Sequence, residues 1–359
     1  MANTVTVQVK LLPTKEQAKI LKSMSYLYIQ TINELVGEMV AVKERIKKSS
    51  KDIPVYLPSA VKNQAIKDAN SVFAKARKTK FEVIPKLKKA ICVWNNQNYS
   101  FDFQYIYLPL MIDGKVKKTP IRALLVDKDN RNFSLLNRKL GTLRVTQKGH
   151  KWIAQIAVTI PTTTISETGN VLGVDLGLKV PAVAVDSYGC TRFFGNGRQN
   201  KYKKRKFRAM RKRLGKAKKL KAIKKLNNKE QRYMKHVDHK VSRAIVNFAQ
   251  QTKVTTIRLE QLANIRQTTR TSRKNEKNLH TWSFYRLASF IEYKANLVGI
   301  KVEYVNPAYT SQTCPSCGTK NKAKDRKYVC SCGFSTHRDI VGALNIRYAP
   351  VIGGNSQSA

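Results

Sequence analysis

The sequence is short of acidic residues, of long apolar runs and of cysteine, and each shortage narrows what the chain can be. Against 69 Lys and Arg stand only 22 Asp and Glu, a formal net charge of +47 over 359 residues. A compact chain with that excess repels itself, so a polyanion has to offset it. Apolar runs of membrane length are missing, and no basic amphipathic helix sits beside an anchor, so neither a membrane span nor a lipid surface is expected. The basic residues run from end to end, which favours a long nucleic acid over a small acidic ligand. The N-terminal MANTVTVQVK has no apolar core of the kind a signal peptide needs, and a reducing cytoplasm is the expected setting. The length leaves room for two or three domains, each with its own core.

Four of the six cysteines fall in one stretch, Tyr309 to Ile346, spaced C-x2-C-x12-C-x-C as Cys314, Cys317, Cys330 and Cys332. In a reducing compartment such a quartet reads as a metal site rather than as two disulfides. Two short thiolate pairs can close on one tetrahedral ion, which lets a small loop hold a shape with almost no core of its own. This is a zinc-ribbon pattern with one irregularity. The Cys330-Ser331-Cys332 pair cannot form the usual C-x2-C knuckle, so either the site is distorted or His337 stands in as a ligand. Cys92 and Cys190 are isolated and read as unliganded.

Along the chain, NTVTVQVKLL (3–12) alternates Val5, Val7, Val9 and Leu11 and predicts a strand ending at Pro13. Thr14 and Gln17 have the spacing of a capping box, opening a helix whose apolar side runs through Leu21, Met24, Tyr28, Leu35 and Met39. Pro54 and Pro58 bracket a connector, and a second helix follows from Ser59 through Val61, Ala65, Ala69, Val72 and Phe73. Residues 14 to about 100 therefore read as a helical unit. From Tyr105 to Ile160 the texture changes to short strands with turns at Asp113-Gly114, Asp127 to Asn132 and Lys148-Gly149. Trp152, Ala154, Ile156, Val158 and Ile160 alternate onto one face. This predicts a β unit, barrel-like, that the first strand joins and the helices interrupt. PTTTISETGN reads as a linker.

A third unit begins at Val171. VLGVDLGLK, PAVAVDSYG and CTRFFGN predict three strands, and Asp175 is a carboxylate in an otherwise apolar one, where unpaired charge is avoided. Residues 201 to 229 then carry sixteen Lys or Arg and no acid. Phe207, Met210, Leu214 and Ala217 keep a helical stripe, which predicts a helix with a basic face, and Lys203, Lys204, Arg205, Lys206, Arg208, Arg211, Lys212 and Arg213 are its expected phosphate contacts. KVTTIRLEQL is the next strand, with Glu260 at its end. An amphipathic helix, a strand KVEYVNP, the cysteine stretch and a last helix beginning near Asp339 complete the order. Asp175, Glu260 and Asp339, delivered by strand edges and a helix start, are the hard oxygen ligands that two divalent cations about 4 Å apart require for phosphodiester chemistry.

The segments GVDLGLK, IRLEQLANI, YTSQTCPSCG and HRDIVGALNI, in this order and spacing, resemble the RuvC-like nuclease core of the TnpB family, transposon-encoded proteins related to the type V CRISPR effector nucleases. The resemblance covers residues 171 to about 348, while the first 165 residues match in layout only. It implies an α/β RNase H-like (RuvC) nuclease core with an inserted zinc ribbon, preceded by a β-barrel-like wedge domain that a helical recognition lobe interrupts. The implied layout is a wedge-type β domain (1–13 and 101–165), the lobe (14–100), the nuclease domain (166–313 and 333–350), the ribbon (314–332) and a disordered tail (351–359). The activity implied is RNA-guided cleavage of double-stranded DNA beside a short target-adjacent motif. It uses a guide RNA from the transposon end and two Mg²⁺ ions on the catalytic acids Asp175, Glu260 and Asp339. One structural zinc on Cys314, Cys317, Cys330 and Cys332 is implied as well, in a cytoplasmic, nucleoid-associated monomer with its RNA. The alternative is a guide-directed or plain DNA-binding regulator of transposition that does not cut. Such a protein has no need of three acids, and all three are present. A transposase proper is disfavoured because His150, His236, His239, His280 and His337 form no His-hydrophobe-His pair.

Overall fold

The computed structural model describes residues 3–125, 131–161, 169–226, 228–262 and 280–352. The 127–132 turn, the 161–170 linker, the end of IRLEQLANI and the tail from 353 onward fall wholly or partly outside these ranges. The chain divides into two compact units, Met1–Pro161 and Thr162–Ala359. No helix among the described residues is long and apolar enough to cross a membrane.

The first unit is built on a seven-stranded antiparallel sheet. Its strands are β1 (Asn3–Leu12), β2 (Ile91–Trp94), β3 (Ser100–Phe101), β4 (Tyr105–Ile112), β5 (Lys115–Leu124), β6 (Leu140–Lys148) and β7 (Lys151–Ile160), in the order β2-β6-β7-β1-β5-β4-β3. The alternation read in the first strand buries Val7, Val9 and Leu11 along β1, and that in KWIAQIAVTI buries all five residues named for β7. Between β4 and β5 a two-residue turn, Asp113-Gly114, takes positive φ at both positions (47° and 78°), the backbone twist a tight hairpin needs. The sheet curls on itself: Trp94 Nε1 of the edge strand β2 donates to Pro109 O of β4 at 3.4 Å. Helices α1 (Lys15–Val42) and α2 (Ser59–Lys78) share its core. The capping box forms, Thr14 Oγ1 accepting from Gln17 N at 3.2 Å and Gln17 Oε1 from Thr14 N at 3.0 Å. Tyr28, fully buried, ties the two helices by donating to Asp68 at 2.7 Å.

Two features differ from the sequence reading. Strand β2 lies inside the 14–100 range assigned to helices and β3 starts at its last residue, because ICVW is too short to show a period and its pairing with β6 is non-local. A short helix α3 (Arg131–Leu136) occupies what read as part of a turn.

The second unit holds a five-stranded sheet in the order β10-β9-β8-β11-β12. Strands β8 (Asn170–Leu176), β11 (Val254–Glu260) and β12 (Lys301–Val305) run parallel, while β9 (Ala182–Val185) and β10 (Thr191–Phe194) are antiparallel to their neighbours. Side chains alternate across β8. Leu172, Val174 and Leu176 join the core with residues of α6 (Lys229–Gln251) and α7 (Phe284–Asn296), which sends Gly173 and Asp175 to the opposite face. Ahead of α6 the basic run forms two helices rather than one, α4 (Gly197–Lys216) and α5 (Leu220–Leu226). The stripe of Phe207, Met210, Leu214 and Ala217 is not a core stripe, since Gly197 is the only buried residue of α4. A small hairpin of β13 (Lys327–Val329) and β14 (Ser335–His337) leads into α8 (Arg338–Tyr348).

Candidate active site

Helix α8 lies against β8 unusually closely, and two glycines make that possible. A Cβ on Gly173 would stand 2.0 Å from Ala343 O, and one on Gly342 would stand 2.9 Å from Asp175 Oδ2. With no side chain at 342, the first turns of α8 sit over the Asp175 carboxylate. Asp339, one turn earlier, is buried at 7 % exposure. Glu260 ends β11, the strand paired with β8, and its Oε1 accepts a short hydrogen bond from the Thr310 hydroxyl.

The electrostatics follow from this crowding. Burial pushes Asp175 well above the usual carboxylate range, the charges of Glu260 and Asp339 push the same way, and Arg338 and Arg326 oppose them. Burial raises Glu260 as well, against the Thr310 hydrogen bond. Asp339 is held differently: Arg326 Nη1 contacts both its oxygens, at 2.5 and 2.8 Å. Arg326 is placed by the hairpin, whose backbone fixes it when Arg338 N donates to Arg326 O at 2.8 Å. The three acids named from the sequence thus fall within one electrostatic neighbourhood. Arg326, Thr310, Gly173 and Gly342 were missed, since an arginine and a threonine in loops, a glycine in a strand and a glycine in a helix carry no periodic signal.

The four cysteines form the only group among the described residues whose ligand atoms, three or more from His, Cys, Asp or Glu, all lie within 4.8 Å of one another. Cys314 Sγ is 3.7 Å from Cys332 Sγ, and Cys317 Sγ is 3.6 Å from Cys330 Sγ. Disulfide sulfurs would be about 2.05 Å apart, whereas four sulfurs each about 2.3 Å from one tetrahedral ion stand a little under 4 Å apart. The donor set and spacing fit zinc. Contacts with the Thr319 hydroxyl and backbone hold the Cys317 thiol down, to about 6. The C-x-C pair therefore closes the site, and His337 is not a ligand. It is instead the N-cap of α8, its Nδ1 accepting from Asp339 N at 3.2 Å while its ring meets Phe193 edge-on. Asn345 Nδ2 donates to both Thr310 O and Thr313 O at 2.7 Å, joining the start of the ribbon to α8.

The basic helix divides by face. Lys203 lies over the Tyr233 ring and Arg211 pairs with Glu230 at 2.7 Å, both against α6. Lys204 donates to Thr281 O at 2.7 Å and, with Arg205 and Arg208, lines a cleft. Lys206, Lys212 and Arg213 are exposed.

Two family models match the chain, one described as "Probable transposase" over residues 155–266 and one as "Cas12f1-like, TNB domain" over residues 284–346. A TnpB-like protein of Methanocaldococcus jannaschii is 38% identical over 120 residues, 33% of this chain and 43% of that one. The chain belongs to the TnpB family. A second relative of this TnpB-family chain is the CRISPR-associated endodeoxyribonuclease Cas12f1 of Sulfoacidibacillus thermotolerans, 28% identical over 216 residues, 55% of this chain and 50% of that one. The chain thus spans about half the length or less of these two curated relatives. Among solved structures, a chain of a Cas12f1–sgRNA–target DNA complex superposes with a TM-score of 0.69 at 16% identity, covering 96% of this chain and 99% of that one, which establishes a shared fold.

Proposed function

We propose that this chain is an RNA-guided DNA endonuclease of a transposable element, cutting DNA phosphodiesters beside a short target-adjacent motif. The observation that carries the reading is the approach of α8, whose first turn carries Asp339, to Asp175 of β8 over Gly342, with Glu260 at the end of the neighbouring β11. Burial pushes Asp175 and Glu260 toward the protonated form. Uncompensated carboxylates are costly there unless a cation joins them. The strand order β10-β9-β8-β11-β12, with its three parallel strands, supports an RNase H-like (RuvC) core. The Cas12f1 relative is an endodeoxyribonuclease by name and the superposed chain comes from a complex with sgRNA and target DNA, which supports the same partners for this chain.

The all-oxygen donor set of Asp175, Glu260 and Asp339 suits Mg²⁺. Bound there, two such ions would supply an activated water and stabilise the leaving oxygen of the phosphodiester. The remaining work falls to the chain's own residues. Thr310 orients Glu260 through its hydroxyl, Gly342 leaves the space that the Asp175 carboxylate fills, and Arg326 supplies positive charge beside Asp339 where a phosphodiester would lie. The four cysteines would hold one structural zinc, fixing the hairpin that carries Arg326 and the point at which α8 begins. The exposed cations of α4 would meet the nucleic-acid backbone, and specificity would come from base pairing with the guide.

The test is to purify the chain, sequence the RNA that comes with it, and supply that complex with matching duplex DNA and Mg²⁺. Cleavage at the matched site supports the reading. Stable guided binding with no cleavage supports the non-cutting regulator instead.

A further inference from the structure

Helix α8 carries Asp339, Gly342 and Asn345 at a spacing of three, which places them along one side of the helix. Asp339 brings its own carboxylate, and Gly342 clears the space that Asp175 fills. Asn345 bears on the remaining acid through a turn. Its Nδ2 has two hydrogens, and they serve two carbonyls, Thr310 O and Thr313 O, each at 2.7 Å. Thr310, at 6 % exposure, donates its hydroxyl to Glu260 Oε1. That hydroxyl has a single hydrogen and a second acceptor in reach, since Pro307 O stands 3.1 Å away. A small shift of the Thr310 backbone therefore decides which acceptor takes it. The backbone here needs holding: Tyr309, the preceding residue, has a φ of 61°, a left-handed conformation that a non-glycine residue keeps only when its surroundings impose it. Tyr309 O closes the turn by accepting from Gln312 N at 2.9 Å and Thr313 N at 3.0 Å, and Asn345 ties that turn to α8.

We propose that Asn345 is a positioning residue for the acid cluster: it fixes the Thr310 backbone so that the hydroxyl goes to Glu260 and not to Pro307 O. Glu260 is then held in the orientation in which it shares divalent cations with Asp175 and Asp339. All three acids take their places from one side of α8, one by attachment, one by clearance and one through this clamp. The clamp needs an amide, because an aspartate in its place has no hydrogen to donate and a serine has one. The role rests on the reading of the three acids as a cation site. Hydrogen-bond partners of a ligating carboxylate change cation affinity by about 10–100-fold when they are removed. Asn345 stands one link beyond such a partner, so its whole effect passes through Thr310.

Cation binding is read without DNA and without cleavage, by electron paramagnetic resonance of Mn²⁺ added to the full chain freed of RNA. Mn²⁺ takes the same oxygen ligands as Mg²⁺, and the binding counted is the part that Asp175→Ala removes. Thr310→Val should weaken it by about tenfold or more, and Asn345→Ala and Asn345→Leu by about tenfold each, with RNA rebinding at the natural level. The double variant Thr310→Val with Asn345→Ala should bind no more weakly than Thr310→Val alone, because the two changes break one chain of contacts. Effects that multiply would show Asn345 acting by another route and overturn the proposal. Natural affinity in Asn345→Leu, which keeps the volume and removes both donors, would assign the residue to packing and overturn it too. So would loss of RNA binding in both single Asn345 variants, which would make the residue a structural tie, and so would a natural chain that binds no Mn²⁺ at the acids. A chain that binds as described but never cuts refutes the endonuclease reading alone. Guided cleavage with multiplying effects refutes the role of Asn345 alone, so the two ideas fail separately.

Discussion

Gly342 and Asp175 are complementary: the hydrogen that Gly342 carries in place of a side chain is what lets the Asp175 carboxylate fit under α8, since a Cβ there would stand 2.9 Å from Oδ2 and 3.1 Å from Cγ. A gap under 3.0 Å forces movement, and the group that has to move is one of the three acids. Gly342→Ala should therefore fold, because alanine suits a helix interior better than glycine, yet cut more slowly, by up to the ~10²-fold that a misplacement of about 1 Å costs. Single-turnover cleavage together with a melting curve checks this. An alanine variant that cuts at the natural rate would show that Asp175 does not need its observed position.

The acid cluster should make stability depend on pH and on divalent cations in a definite sense. Asp175 is raised by burial and by its acidic neighbours, so the folded chain holds a proton that the unfolded chain releases near the ordinary aspartate value of about 4. Stability is then fully present below that value and is lost as pH climbs toward the raised folded-state value. In EDTA at neutral pH, Asp175→Asn should raise the melting temperature, by roughly 2–4 °C for each kcal/mol relieved. Added Mg²⁺ should raise it for the natural sequence and by clearly less for the variant. A lower melting temperature for Asp175→Asn in EDTA would contradict the repulsion argued here.

Much of this site was legible in the sequence, and the rest was not for identifiable reasons. Asp175 stood out because charge is rare in an apolar strand, Glu260 because it ends another, and Asp339 because it opens a helix after a cysteine cluster. Arg326 is one of 69 basic residues and its role depends on a hairpin folding back on α8, a non-local contact with no local signature. The basic helix misled in one respect. Its spaced apolar residues suggested a buried side, but the faces of α4 are divided among Tyr233, Glu230, the cleft and solvent. Strand β2 escaped notice because four residues cannot display a period, and its partner β6 lies about fifty residues later.

The ribbon should contain metal. Purified protein should carry about one zinc per chain, as a closed four-ligand site does, and Cys314→Ser or Cys332→Ser should lose it. Because Arg338 N donates to Arg326 O and Asn345 holds Thr310 and Thr313, that loss should lower cleavage more than guide binding. Elemental analysis beside both assays decides it. Zinc-free protein that cuts normally would reduce the ribbon to a loop.

On α4 the residues to change are those that have no protein partner as their principal contact. Replacing Arg205, Lys206, Arg208 and Lys212 with Gln should weaken binding to all sequences alike and flatten its salt dependence, each lost phosphate contact removing about 0.9 from the log–log slope on duplex. Lys203→Gln, which loses a contact with Tyr233, should change the slope less. An unaltered slope in the fourfold variant would return this face to solvent.

The most direct test of the whole account is cleavage by the three single variants Asp175→Ala, Glu260→Ala and Asp339→Ala. Each is assembled with the RNA that co-purifies with the natural chain and given matched duplex DNA with Mg²⁺. The account predicts that all three bind RNA nearly as the natural sequence does and that none cuts DNA. Full cutting by any one of them would contradict the role given to that residue, and full cutting by all three would place the chemistry elsewhere.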